Sequence, residues 1–178
     1  MWLAFESIDP IGISYGNSIG RALALAQSFE HNCKYVLLIA NLGEEIERGN
    51  IAGRSGIASY SESLENWFKL GRDIHQFKDR HEIGAFEIEI LRKGVAARNY
   101  LAHEAAYPML IDSKSGAEIR KELPNFIRQV SSLAEAENLI AQWSFMIQEK
   151  TNPPSEITTT FSQKVTSWVL AALDKEML

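Results

Sequence analysis

The chain holds one cysteine, Cys33. A single thiol excludes an internal disulfide and every Cys-Cys metal spacing, a pattern that fits a reducing cytosol, and its expected place is as a small buried hydrophobe. Basic charge is also short: 18 lysines and arginines stand against 23 aspartates and glutamates, a formal net charge of −5. That balance counts against a nucleic-acid binder working by general phosphate neutralisation, which usually shows a basic footprint, but leaves room for a local basic site. No apolar run is long enough to span a bilayer. The opening Met-Trp-Leu-Ala-Phe-Glu-Ser lacks a basic flank and meets Pro10 early, so it is not expected to be a signal peptide and a cytoplasmic location is expected. Internal repeats and low-complexity runs are absent, and no segment alternates with period two.

What is present is helical periodicity. Length (178 residues), 46% hydrophobic and 23% charged residues describe an ordinary globular chain able to bury a core, and 1–178 is expected to form a single domain. Residues 1–16, with Pro10, Gly12 and Gly16, are expected to be an irregular lead-in. From a cap at Asn17 or Ser18, Ile19, Leu23, Ala26, Phe29, Cys33, Val36, Leu37 and Ala40 predict a long amphipathic helix to about Arg48. Residues 49–60, with three glycines, predict a flexible connector. Ser59 and Glu62 have capping-box spacing and open a helix to about Lys78, burying Leu64, Trp67, Phe68, Ile74 and Phe77.

After a break at Asp79-Arg80-His81, the positions Ile83, Phe86, Ile90, Leu91 and Val95 predict another helix, stopped near Pro108. Ser115 and Glu118 repeat the capping-box spacing. Pro124 is expected to begin a fresh helix carrying Phe126, Ile127, Val130, Leu133, Ile140, Trp143 and Ile147, ended by Thr151-Asn-Pro-Pro. A last helix buries Ile157, Phe161, Val165, Trp168 and Ala172. The fold class that follows is all-α, an antiparallel helical bundle of four or five main helices.

One stretch, residues 92–107, concentrates groups able to act on a phosphodiester. It adjoins a locally basic segment that holds Lys69, Arg72, Lys78, Arg80, Arg92, Lys93 and Arg98. Residues four apart share a helix face, so Asn99, His103 and Tyr107 form a stripe, with Arg92 a heptad before Asn99. At 100 degrees per residue Arg98 points about 140 degrees from His103. A neutral-pH imidazole can take a proton from a ribose 2′-hydroxyl or give one to a leaving 5′-oxygen, and a guanidinium can bind phosphate bidentately. The competing reading pairs Arg98 with an acid such as Glu104 or Glu122. His75 and His81 with Asp73 and Asp79 lack a zinc pattern, and His31 and Cys33 fall on different helix faces. The glycine-rich loop lacks the ending of a phosphate-binding P-loop. No metal or cofactor is expected.

Arg98-Asn99-Tyr100-Leu101-Ala102-His103 resembles the Arg-x4-6-His motif of HEPN domains, helical domains often found in toxin-antitoxin and antiviral systems. The resemblance covers these six positions closely and the bundle loosely. It implies a metal-independent endoribonuclease acting as a homodimer, with two motifs meeting across a cleft. Arg98 would stabilise the phosphate, His103 would do acid-base work, and Asn99 would orient or bind; Arg92, Lys93 and Tyr107 do not match the motif and are expected as substrate contacts only from their place in the same stretch. Some toxins of the family carry a tyrosine two residues after the histidine, modified by a nucleotidyltransferase antitoxin. Here that position is Ala105, which departs from that mode of neutralisation. A non-catalytic interaction module or a nucleotide-binding helper subunit of the same fold is the alternative.

Overall fold

In the computed structural model the described residues are 10–65, 83–105 and 115–173. They form α1 (Pro10–Glu47), α2 (Gly53–Glu65), α3 (Ala85–Tyr100), α4 (Gly116–Glu149) and α5 (Ser155–Leu170), with a π-helical turn at Leu101–Ala105 continuing α3. No strand occurs among the described residues. None of their helices is long and apolar enough to cross a membrane.

The order of contacts gives the topology. Tyr15 meets Phe126, Ser28 meets Glu137, and Tyr35 meets Gln148, so α1 and α4 run parallel. Gly94 lies against Ala136 and Phe29, and Tyr100 interacts with Asn125, so α3 runs antiparallel to α4. On the other flank Asn138 bonds the Thr158 carbonyl and Ser162 that of Ala134, so α5 is also antiparallel to α4. Sequence neighbours α3, α4 and α5 therefore alternate in direction as expected. The parallel α1–α4 pair sits at the centre, because both helices carry apolar residues toward both flanks.

The core fills the space between these helices. Phe29, Cys33, Leu91, Leu101, Phe126, Val130, Leu133 and Ile140 are fully buried. Each large apolar side chain removed from water contributes roughly 1.5–3 kcal/mol before entropy is counted. Tyr15 packs edge-on to Phe126, with ring centroids 5.3 Å apart.

Several expected boundaries move. The irregular lead-in at 1–16 is not observed over its described part: α1 begins at Pro10, whose fixed φ suits a first helical turn, and Gly12 and Tyr15 are buried within the helix. The connector at 49–60 shrinks, because α2 begins at Gly53, so Ser59 and Glu62 lie inside a helix rather than at its start. Trp67, Phe68, Ile74 and Phe77, the side chain of Leu64, the break at 79–81 and Pro108 lie outside the described residues.

Pro124 does not start a helix. It lies within the 34-residue α4, on the solvent side, where the carbonyl that loses its donor can be hydrated, while Leu123 and Phe126 on the other side hold the helix to the core. The Ser115–Glu118 capping box is present: Ser115 Oγ accepts from the Glu118 amide, and Glu118 Oε2 accepts from the Ser115 amide at 2.8 Å. Lys150 closes the helix in the left-handed region, φ 55°, before Pro153 and Pro154.

Two apolar stripes are buried only in part: Leu91 is in the core and Ile83, Ile90, Val95 and Val165 pack against it, while other expected positions face water. On α3, Phe86 is 76% exposed, and the buried positions are Ile88, Leu91, Gly94 and Ala97. On α5, Ile157 and Trp168 are exposed and Val169 is buried; the polar contact with α4 is made by Ser162, whose Oγ donates to the Ala134 carbonyl, and by the Thr158 backbone carbonyl, which accepts from Asn138. Trp168 instead lies under the Arg21 guanidinium, 5.5 Å from its ring centroid.

Candidate functional site

The C-terminal end of α3 presents the candidate groups. Leu101 and Ala105 are buried and anchor the π-helical turn to the core, which leaves His103 and Glu104 between them on the surface. A π turn closes its hydrogen bonds over five residues instead of four, so each residue inside it advances by a smaller angle than in an α-helix. The 140-degree separation between Arg98 and His103 expected for a regular α-helix is reduced accordingly, although the two remain on different sides of the helix. Such turns are frequent at functional sites.

Arg98 is held from the neighbouring helix. Its Nε and Nη2 both donate to Glu30 Oε2, at 3.1 and 2.6 Å, and its Nη1 donates to Asn99 Oδ1 at 3.2 Å. The pair joins α1 to α3 and is partly open to water, with side-chain exposures of 27% for Arg98 and 34% for Glu30. Arg98 thus takes Glu30 as its carboxylate partner, an acid 68 residues away in sequence. No spacing rule connects residues on separate helices, so sequence reasoning had no signal for Glu30.

The remaining candidates spread along α3. Asn99, Arg92 and Lys93 are exposed, and Lys93 Nζ lies 3.8 Å from Glu89 one turn earlier. Tyr107 lies outside the described residues, as do His75, His81, Asp73 and Asp79. The structure therefore groups Arg98 with Asn99 and places His103 one turn further along the same element.

Beneath this surface lies a pair of phenols. The Tyr15 hydroxyl is buried with no hydrogen-bond partner of good geometry, and desolvation pushes its pKa up, reinforced by Tyr100 and Glu122. Tyr100 is raised chiefly by its own burial, with Asn125 opposing. Both phenols stay protonated at neutral pH and brace the α3 terminus against α1 and α4.

Two further buried groups sit nearer the middle of the bundle. Glu137 is 4% exposed; Ser28 and Asn32 each donate to its Oε1 at 2.7 Å, and its Oε2 has no partner. Burial raises its pKa, and the two hydrogen bonds and His31 work against that rise. The Cys33 thiol is pushed up by burial and by Glu137 and Glu30, so it is an inert packing group. His31 is exposed, on a different face from Cys33 as expected. Toward the far end of α1, an apolar cleft of about 490 Å³ is walled by Val36, Ile39, Ala40, Trp143, Met146 and Ile147, with Glu44 and Glu47 at its edge.

No family model, no curated protein and no solved structure matches the chain.

Proposed function

We propose that the end of α3 is half of a metal-independent endoribonuclease site of the HEPN type, completed by the same residues of a second copy of the chain. The observation that carries this reading is the π-helical turn, which leaves His103 exposed one turn beyond a partly exposed Arg98 held by Glu30. In this reading His103 of one copy takes the proton of a ribose 2′-hydroxyl, whose oxygen attacks the adjacent phosphorus. The P–O5′ bond breaks, and the imidazolium of the other copy gives its proton to the departing 5′-oxygen. The products are a 2′,3′-cyclic phosphate and a 5′-hydroxyl. Arg98 bears the negative charge gathering on the phosphoryl oxygens, with Asn99, Arg92 and Lys93 contacting the flanking backbone.

An RNase of this kind suits a toxin or phage-defence role, held in check by an antitoxin that acts otherwise than by modifying a tyrosine two residues past His103, since that position is Ala105. The test uses purified chain, single-stranded RNA and excess chelator. Cleavage leaving cyclic-phosphate ends, and its loss in a folded His103→Ala variant, support the reading. Intact RNA with the wild-type chain overturns it.

A second reading, a helical interaction module without catalysis, draws on the Arg98–Glu30 pair, which also knits α1 to α3. It expects His103→Ala to leave RNA and cells unaffected, and Arg98→Ala to lower stability alone.

A further inference from the structure

Arg98 uses its guanidinium unevenly. Of its five N–H groups, Nε and one on Nη2 are spent on a single oxygen of Glu30, and one on Nη1 is spent on Asn99. One N–H on each terminal nitrogen is left over. Glu30 therefore grips one edge of the plane while the two outer nitrogens keep a donor each, at a side chain still 27% exposed. Two donors on adjacent terminal nitrogens match the spacing of two phosphate oxygens. A free arginine on a helix surface has several rotatable bonds and would lose that freedom on binding, whereas one clamped from a second helix has lost it already. Glu30 sits on α1 beside Phe29, whose ring lies close to Gly94 of α3.

We propose that Glu30 is a positioning residue for RNA phosphate: it fixes the Arg98 guanidinium so that its two outer nitrogens face the substrate backbone. This rests on the endoribonuclease reading for its substrate. Glu30 touches neither substrate nor reacting atoms and acts through Arg98 alone.

The test compares wild type, Glu30→Ala, Glu30→Gln, Arg98→Ala and the double variant Glu30→Ala/Arg98→Ala, each checked for folding by circular dichroism. Two probes are used: a cleavable single-stranded RNA, and the same RNA with 2′-O-methyl groups throughout, which cannot react. Misplacing a positioned group costs on the order of 10- to 100-fold. Glu30→Ala is expected to lose cleavage at saturating RNA by about that factor, while Glu30→Gln, which keeps one acceptor oxygen, retains most of it. In the Arg98→Ala background, Glu30→Ala is expected to add nothing.

Wild-type rates in a folded Glu30→Ala variant overturn the proposal, as does faster cleavage, which would mean Glu30 competes with phosphate. Losses that multiply in the double variant also overturn it, because they place Glu30 outside the action of Arg98. If wild type cuts no RNA, the nuclease reading falls separately and the blocked RNA decides the Glu30 claim. Binding weakened by Glu30→Ala only when Arg98 is present upholds it, and unchanged or absent binding ends it.

Discussion

Glu137 meets Ser28 inside the contact between the two central helices, its Oε1 accepting a 2.7 Å hydrogen bond from Ser28 Oγ while its Oε2 faces no donor. A carboxyl so placed binds its proton more tightly when folded than when unfolded. Its folded pKa is raised above the ordinary 4.5. The folded state then holds more protons than the unfolded state once pH rises past that ordinary value, so the stability from this group is complete in acid and declines as pH climbs to the folded pKa. Thermal melts across pH 4 to 8 should show that decline in wild type. Glu137→Gln, which cannot ionise, should flatten it, and parallel profiles for the two proteins would show that Glu137 does not titrate in the core.

Gly94 is where α3 approaches α4 and α1 most closely. A Cβ there would collide with Ala136 Cβ and stand 3.1 Å from the Phe29 ring. Gly94→Ala is expected to destabilise by about 1–3 kcal/mol, as overpacked cores do, despite the better helix propensity of alanine. Urea unfolding measures this, and a stabilised variant would mean the helices separate there at little cost.

Pro124 lies in an exposed position of α4. It removes one backbone donor from a helix whose two neighbouring turns are held by Leu123 and Phe126. Pro124→Ala is expected to raise stability by about 1–3 kcal/mol, the upper end being the intrinsic cost of an interior proline. The midpoint of chemical unfolding reads the gain; a loss would point to a role for the proline ring in packing.

His103 is exposed, and surface replacements usually change stability by no more than about 0.5 kcal/mol. His103→Ala should therefore melt with wild type, and under the proposed endoribonuclease reading cleavage should fall by on the order of 10² to 10⁴, the range for a general acid or base. Equal loss of melting temperature and activity would assign His103 to the fold.

Arg98→Lys tests the fork rather than the charge. Lysine keeps the cation but cannot present two coplanar donors to one phosphate or reach Glu30 through two nitrogens. Under the proposed endoribonuclease reading, cleavage should fall nearly as far as in Arg98→Ala, and full activity in the lysine variant would reduce Arg98 to a point charge.

The helical class was legible because apolar residues recur every three or four positions through α1 and α4. Ile19, Phe29 and Val36, with Phe126, Val130 and Leu133, are buried as their spacing predicts. The Ser115–Glu118 cap was legible too, since both partners lie within one turn. Where periodicity misled, polar or small residues made the contact. Ser162 meets α4 through its hydroxyl while Ile157 and Trp168 are exposed, and Gly94 and Ala97 face inward while Phe86 does not. Pattern reading weighs apolar bulk, whereas close helix approach favours side chains that are small or can use their polar atoms against a neighbouring backbone.

By itself the sequence determined the helices, one cap and the chemical types at Arg98, Asn99 and His103. Tertiary structure decided that α1 lies parallel to α4, that Glu137 is a core residue, that α3 ends in a π turn, and that Arg98 is gripped by Glu30. Local signals act through neighbours within a turn or two, over which spacing defines geometry. Partners on different helices meet only when the whole core packs, and that register is a property of all the contacts together.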